Sequence, residues 1–181
     1  MEIVDLAQQS ERLQDAAAEL LVEHFDEPSG WPTLSLAREA VAHVIAEGFA
    51  QAMLDNGVVA GWIGGLPEYN GRVWELHPMV VHRAYRRRGI GRQLVTSFEA
   101  EVSRRGAITV TLGTDDESGM TSLAHIDLYS DLPRHLNELR DLGGEHPFLF
   151  YRKLGYIVTG VLPDANGIGR PDIFMSKRIA R

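Results

Sequence analysis

Glu75 and His77 lie two residues apart in the stretch Trp74–Gly91, which reads WELHPMVVHRAYRRRGIG. On a β-strand that spacing puts both side chains on one face. A carboxylate and an imidazole presented together are side chains of proton transfer. The structural alternatives are an exposed cross-strand Glu and a His that caps a loop. Pro78 follows at once and has no N–H to give a ladder, so within a β-branched run it predicts a bulge or a splayed strand edge. Five arginines then fall between Arg83 and Arg92, around Gly89-Ile90-Gly91. The run Arg86-Arg87-Arg88-Gly89-Ile90-Gly91 stands between a strand and a helix. It offers bare N–H groups at a helix start with guanidinium groups beside them, the chemistry of a phosphate or pyrophosphate site. A solvated basic turn, with glycine there for geometry alone, is the competing reading. The run is not a Walker loop, having no Lys-Ser/Thr pair, nor a dinucleotide fingerprint, having no third glycine.

The elements that must position these residues are written in the periodicity. Ile3–Leu6 reads as a short strand. Ser10 offers an N-cap to a helix carrying Leu13, Ala17, Leu20, Leu21 and His24 on one stripe. Residues 25–35 read as a loop broken by Pro28, Gly30 and Pro32, and a second helix carries Leu36, Ala40, Val41, Val44, Ile45 and Phe49. Asn56-Gly57, between Ala52–Asp55 and Val58–Gly64, is a hairpin signal. A turn at Asn70-Gly71 leads into the Trp74–Val81 strand and completes an antiparallel meander. Ile90, Leu94, Val95, Phe98 and Val102 mark the next helix, ending near Gly106, and Ile108–Leu112 reads as a buried strand. Residues 113–145 form a long irregular connection, functional or loose by its length, with a short helix near 134–142. Pro147 starts a further short helix that stops at Gly155. Tyr156–Leu162 and Ile173–Ser176 are the last strands. The fold class is α/β (α+β), a single domain over residues 1–181 with a strand–loop–helix–strand unit in its middle.

The chain has 181 residues and a formal net charge of −7, with its arginines concentrated in one segment. Nucleic-acid binding requires an extended positive surface and is not expected; a small phosphorylated ligand held at one place is. The negative remainder favours a cationic partner. With no cysteine there is no disulfide, zinc–thiolate site or thiol nucleophile. The histidines show no metal spacing, so no metal is expected. No apolar run has the length of a membrane span and the first residues lack a signal-peptide core, so no membrane association and a cytoplasmic location are expected.

WELHPMVV, SRRGAITVTLGTDD, HPFLFYRKLGY and PDANGIGRPDIFMSK, in that order, resemble the GCN5-related N-acetyltransferase (GNAT) superfamily. Within it they resemble the aminoglycoside 6′-N-acetyltransferases, the enterococcal type especially. The likeness runs from about Gly57 to Lys177 and is poor in the N-terminal part. It implies a mixed, mostly antiparallel sheet with helices on both faces and a splayed central strand pair that admits the pantetheine arm of acetyl-CoA. Val80, Val81, Arg86, Arg87, Arg88, Gly89, Ile90, Gly91 and Tyr151 would then meet the cofactor. The N–H of Met79, freed at the bulge, would stabilise the oxyanion. An ammonium is not nucleophilic, so a base is needed. Glu75 and His77 are the candidates, the resemblance favouring Glu75.

Tyr151 would protonate the departing thiolate by the same resemblance. Read without it, Phe148, Phe150, Tyr151 and Leu154 are a helical core stripe, although a buried phenol wants a polar partner. Asp115 and Asp116, with Glu117, Asp127 and Asp131, form an acidic feature that is either a solvated loop or a lining for a polycationic drug. Trp31 and Tyr69 would stack on sugar rings, whereas Trp74 is better explained by packing. The expected reaction is direct, ternary-complex acetyl transfer to an amine, the 6′-amino group of an aminoglycoside in the first instance. A small metabolite amine, a polyamine or a protein lysine is the alternative acceptor, and a CoA-binding sensor without catalysis is a reading of another class. Relatives of this branch imply a homodimer, and Ile168, Ile173 and Phe174 are apolar residues available to form one.

Overall fold

The computed structural model describes residues 1–25 and 30–180. The predicted loop around Pro28 lies outside them. The chain divides into two compact units, Met1–Val110 with the terminal residues from Ile179, and Thr111–Arg178. The fold is mixed α/β, and the described residues form seven strands with antiparallel pairing inside each unit.

In the first unit β1 (Glu2–Asp5) precedes α1 (Glu11–His24) and α2 (Leu34–Glu47). Apolar spacing turns Ala17, Ala18, Leu20 and Leu21 of α1 and Ala37, Val41 and Val44 of α2 inward. Thr33 caps α2 by accepting the Leu36 N–H at 3.3 Å. Ser10 stands at the N-cap of α1 with no side-chain bond. Phe49 does not continue the helical stripe. The chain turns at Gly48, where a Cβ would overlap the Gly65 carbonyl, and Phe49 opens β2 (Phe49–Asp55). Asn56 and Gly57 both have positive φ, 50° and 78°, and join β2 to β3 (Val58–Glu68) in the two-residue hairpin expected of that pair.

β3 is sandwiched because its two faces meet different helices. Trp62 packs in the α1/α2 core and donates its Nε1–H to the Ala17 carbonyl at 2.9 Å. A Cβ on Gly64 would press on Val44 of α2. On the opposite face, a Cβ on Gly65 would overlap the ring of Phe98, from α3 (Ile90–Arg104). All the residues predicted for the inner stripe of α3, namely Ile90, Leu94, Val95, Phe98 and Val102, are buried. Helices thus cover both faces of these strands. β4 (Val73–Val81) completes the meander.

β5 (Thr109–Asp115) runs from the first unit into the second. Ile108, predicted to start it as a buried residue, is exposed just before it, its N–H and carbonyl bonded to Arg72 and Ile179. The second unit continues with α4 (Leu132–Asn137), α5 (Pro147–Lys153), β6 (Ile157–Leu162) and β7 (Asp172–Arg178). α4 begins earlier than expected because Asp131 caps it, accepting the Arg134 N–H at 3.4 Å, and it ends at Asn137. β6 and β7 pair antiparallel from Ile157↔Ser176 to Leu162↔Asp172. Ile173 is buried, not available to a partner, whereas Phe174 beside it faces outward, as strand alternation requires.

Candidate active site

In the first unit the register of β3 on β4 passes from Ile63↔Met79 to Gly65↔Leu76. His77 and Pro78 therefore stand opposite Gly64 alone, a β-bulge at the predicted proline. The bulge has a consequence that strict alternation hides. Cross-strand partners share a face. Leu76, opposite Gly65, points toward α3, while Val80, opposite Trp62, points into the α1/α2 core. Two residues of equal parity end on opposite faces. Glu75, opposite Leu66, is half-buried on the α1/α2 face, and Met79, opposite Ile63, is turned to the other.

His77 is exposed, and its ring lies 5.6 Å from that of Trp31, which packs against the α1/α2 core and meets Phe25 edge-on at 5.5 Å. Trp31 is thus brought to the face that Glu75 and His77 share, a grouping invisible in a sequence that separates it from them by over forty residues. Tyr69 stands on a separate single turn, 77% exposed, with φ 47°. Trp74 is buried against Phe49 and under the Arg105 guanidinium, as packing required.

After β4, the His82 side chain accepts the Ala84 N–H at 3.1 Å and shapes a 3₁₀ turn, Arg83–Tyr85, that sequence reasoning missed. Arg87 (φ 61°) and Gly89 (φ 81°) then bend the chain into α3. Gly89 is the N-cap and makes no side-chain cap bond, so no cap side chain covers the first-turn N–H groups of α3. Arg86, Arg87 and Arg88 are exposed. Arg86 Nε donates to the Val81 carbonyl at 3.3 Å, and Arg88 lies over the Tyr85 ring at 5.2 Å. Nearby, burial first and then the Arg86 and Arg83 charges hold His24 below the ordinary histidine range. Of the expected cofactor residues, Val80 and Ile90 have their side chains in the core, so it is their main chain that remains for a ligand.

In the second unit Asp115 ends β5, exposed, its carboxylate accepting from Asn166 Nδ2. Asp116, expected beside it as a substrate contact, is 0% exposed. Its oxygens accept the Met120 N–H at 2.6 Å, the Thr121 N–H at 2.8 Å and the Thr121 hydroxyl at 2.7 Å. It organises the following loop and offers no face to an amine. Asp127 accepts the Tyr129 N–H at 3.0 Å. The run from His125 to Tyr129, with Asp164 and Ile168, lines an open cleft of about 490 Å³.

Tyr151 is 6% exposed, its ring edge-on to Phe150 at 5.0 Å and to Tyr156 at 5.6 Å. Burial pushes its phenol well above the usual tyrosine range, so it keeps its proton at neutral pH. His146, the N-cap of α5, is buried. Its Nδ1 accepts the Phe148 N–H at 3.2 Å, and its Nε2 lies 3.1 Å from the Asp115 carbonyl oxygen. Neither His146 nor Asn166 stood out in the sequence as a site residue.

Among the described residues no three His, Cys, Asp or Glu side chains stand together in a way that could hold a metal ion, and no helix is long and apolar enough to cross a membrane. The acetyltransferase (GNAT) family model matches residues 12–129. An aminoglycoside 6′-N-acetyltransferase solved in complex with coenzyme A is 38% identical, with a TM-score of 0.93 over 100% of this chain and 98% of its own. The aminoglycoside 6′-N-acetyltransferase from Enterococcus faecium is also 38% identical, TM-score 0.91, over 100% and 98%. The aminoglycoside 6′-acetyltransferase type Ii is 36% identical, TM-score 0.77, over 100% and 99%. No curated protein sequence matches the chain.

Proposed function

The chain belongs to the acetyltransferase (GNAT) family, and we propose that it transfers the acetyl group of acetyl-CoA to the 6′-amino group of an aminoglycoside by direct attack in a ternary complex, residues 1–181 acting as one domain. The observation that carries this reading is 38% identity, spanning both chains almost end to end, to an aminoglycoside 6′-N-acetyltransferase that binds coenzyme A. The turn into α3 supports the cofactor. A helix start whose cap is Gly89, flanked by exposed Arg86, Arg87 and Arg88, suits a pyrophosphate. Gly91 and the N–H of Ile90 belong to the same turn. The pantetheine arm would run along β4, past the main chain of Val80 and past Val81.

The chemistry follows from the groups available. Glu75, directly or through a water, takes a proton from the substrate ammonium, and the freed amine attacks the thioester carbon. His77 is the second candidate for that proton. The Met79 N–H holds the oxyanion that forms. The C–S bond then breaks, the Tyr151 phenol gives its proton to the thiolate, and the proton that the acylated nitrogen sheds returns to the phenolate, directly or through water. The products are an amide and free CoA. Trp31 and Tyr69 offer stacking surfaces to sugar rings, and Asp115 offers negative charge to their ammonium groups. A thiol-linked acetyl-enzyme is ruled out by the lack of cysteine.

We take the protein to be a cytoplasmic homodimer that confers aminoglycoside resistance, joined through outward apolar residues such as Ile168, which is 94% exposed, and Phe174. Sedimentation equilibrium checks the dimer. The decisive measurement of function is thiol release from acetyl-CoA with 6′-amino aminoglycosides, their 6′-hydroxyl analogues, and spermidine. Turnover is expected with the 6′-amino drugs alone. Turnover with spermidine alone transfers the reading to another amine, and tight CoA binding without turnover overturns catalysis.

A further inference from the structure

One buried titratable side chain of the second unit takes no part in the chemistry above. The His146 ring makes two polar contacts, one on each nitrogen. Nδ1 accepts the Phe148 N–H at 3.2 Å and Nε2 meets the Asp115 carbonyl at 3.1 Å. A backbone N–H only donates and a carbonyl only accepts. The two contacts therefore coexist only on a neutral ring with its hydrogen on Nε2. The residue is fixed from its own main chain as well, since the His146 N–H donates to Asp141 Oδ1 at 2.8 Å.

Capping alone does not explain an imidazole here. Ser, Thr, Asp and Asn are the ordinary N-caps and would satisfy the Phe148 N–H. They would not also reach Asp115, whereas a ring with nitrogens on opposite edges does both. What the ring joins is specific. Asp115 is the last residue of β5, and Phe148 lies in the first turn of α5, the helix that carries Tyr151. We propose that His146 is a positioning residue: as the neutral, Nε2-protonated ring it locks the Tyr151 helix to the Asp115 end of β5, so that phenol and carboxylate keep one fixed geometry. This rests on the acetyltransferase reading, in which Tyr151 yields a proton and Asp115 faces the ammonium.

The surroundings favour that state. Burial opposes charge on the ring most strongly and brings its pKa below the ordinary histidine value, against the pull of the Asp115 carbonyl and of the Asp116, Asp141 and Asp115 carboxylates. An imidazolium would turn an Nδ1–H toward the Phe148 N–H and undo the cap.

The test combines a state measurement with kinetics on the full chain. Side-chain ¹⁵N NMR should show His146 at pH 7 with a protonated Nε2 and a bare Nδ1; an Nδ1–H or imidazolium ring overturns the proposal, and no variant is needed to see it. His146→Asn keeps a cap and loses the reach to Asp115. Misplacing a reacting group by about 1 Å costs up to about a hundredfold, so kcat should fall at least about tenfold with the KM for acetyl-CoA unchanged. Tyr151→Phe added to that variant should cost less than about twofold more, because both changes disable one unit. A wild-type kcat in His146→Asn, or effects that multiply, sinks it.

Should the wild-type protein transfer no acetyl group at all, the functional reading fails by itself, and the Tyr151 ring-proton shifts decide the rest. These are set by the neighbouring Phe150 and Tyr156 rings and should move in His146→Asn but not in the exposed-site control His43→Asn. Shifts unmoved in both overturn the lock.

Discussion

The stretch from Trp74 to Arg104 and the stretch from Asp115 to Tyr151 are built by opposite means. In the first, apolar periodicity does the work. The inner stripe of α3 is buried, β4 is held between helices, and the functional candidates are left over as main-chain N–H groups and outward side chains. In the second, polar side chains tie the loop backbone together, two of them, Asp116 and His146, fully buried. Asp116 gathers Met120 and Thr121, Asp141 gathers Gly143, Glu145 and His146, and His146 gathers Phe148 and Asp115. α4 and α5 have six and seven residues, too few to stand without such ties. The first region should therefore separate stability from chemistry, and the second should not.

The sharpest way to break that contrast is Asp116→Ala. It leaves buried N–H groups of the second unit without partners, and the expected loss is about 3 kcal/mol in a urea titration. The exposed Asp127→Ala, which also removes a bond to a loop N–H, should cost far less. Equal losses would mean the buried carboxylate organises nothing. Next comes Glu75→Gln in the first region, expected to lower kcat/KM by about a hundredfold while leaving the urea midpoint and acetyl-CoA affinity nearly unchanged. Abolished cofactor binding would show that its role was misassigned.

A smaller effect is expected of Gly89→Ala. The nearest atom to a new Cβ is Gln93 Nε2 at 4.0 Å, so nothing clashes. The φ of 81° still costs a side chain about 1 kcal/mol, readable by thermal melting. The smallest is a pH effect. The folded-state pKa of His146 lies below its unfolded value of 6.5, so the unfolded chain takes the proton first. Its contribution is complete above about pH 6.5 and is lost as pH falls through the folded value. Hydrogen exchange between pH 7 and pH 5 should show α5 amides losing protection while α3 amides keep theirs. Uniform loss across both helices would erase the distinction.

The legible and illegible parts of the molecule divide along the same line. The α3 stripe, the Asn56-Gly57 hairpin, the bulge at Pro78 and the uncapped turn at Gly89 all followed from residue type and spacing, because each is a local matter of period or dihedral angle. Asp115 and Asp116 carry identical side chains in adjacent positions, and nothing local says that one is exposed and the other fully buried. Ile173 and Phe174 separate by strand parity, but which parity faces the core is set by what packs on the strand. That the Val80 side chain turns to the α1/α2 core was not legible either, because residue identity does not say which face a bulge hands to the core.

What the amino acids determine by themselves is the set of elements, their turns and the chemical types concentrated between Glu75 and Gly91, since those depend on neighbours within a few residues. Tertiary structure alone decided which polar groups became framework and which stayed available. Asp115 meets Asn166 and His146, and Trp31 meets His77, across separations that no local period encodes. A buried carboxylate or imidazole is tolerated only where distant backbone groups arrive to bond it, and that arrival is a property of the folded chain.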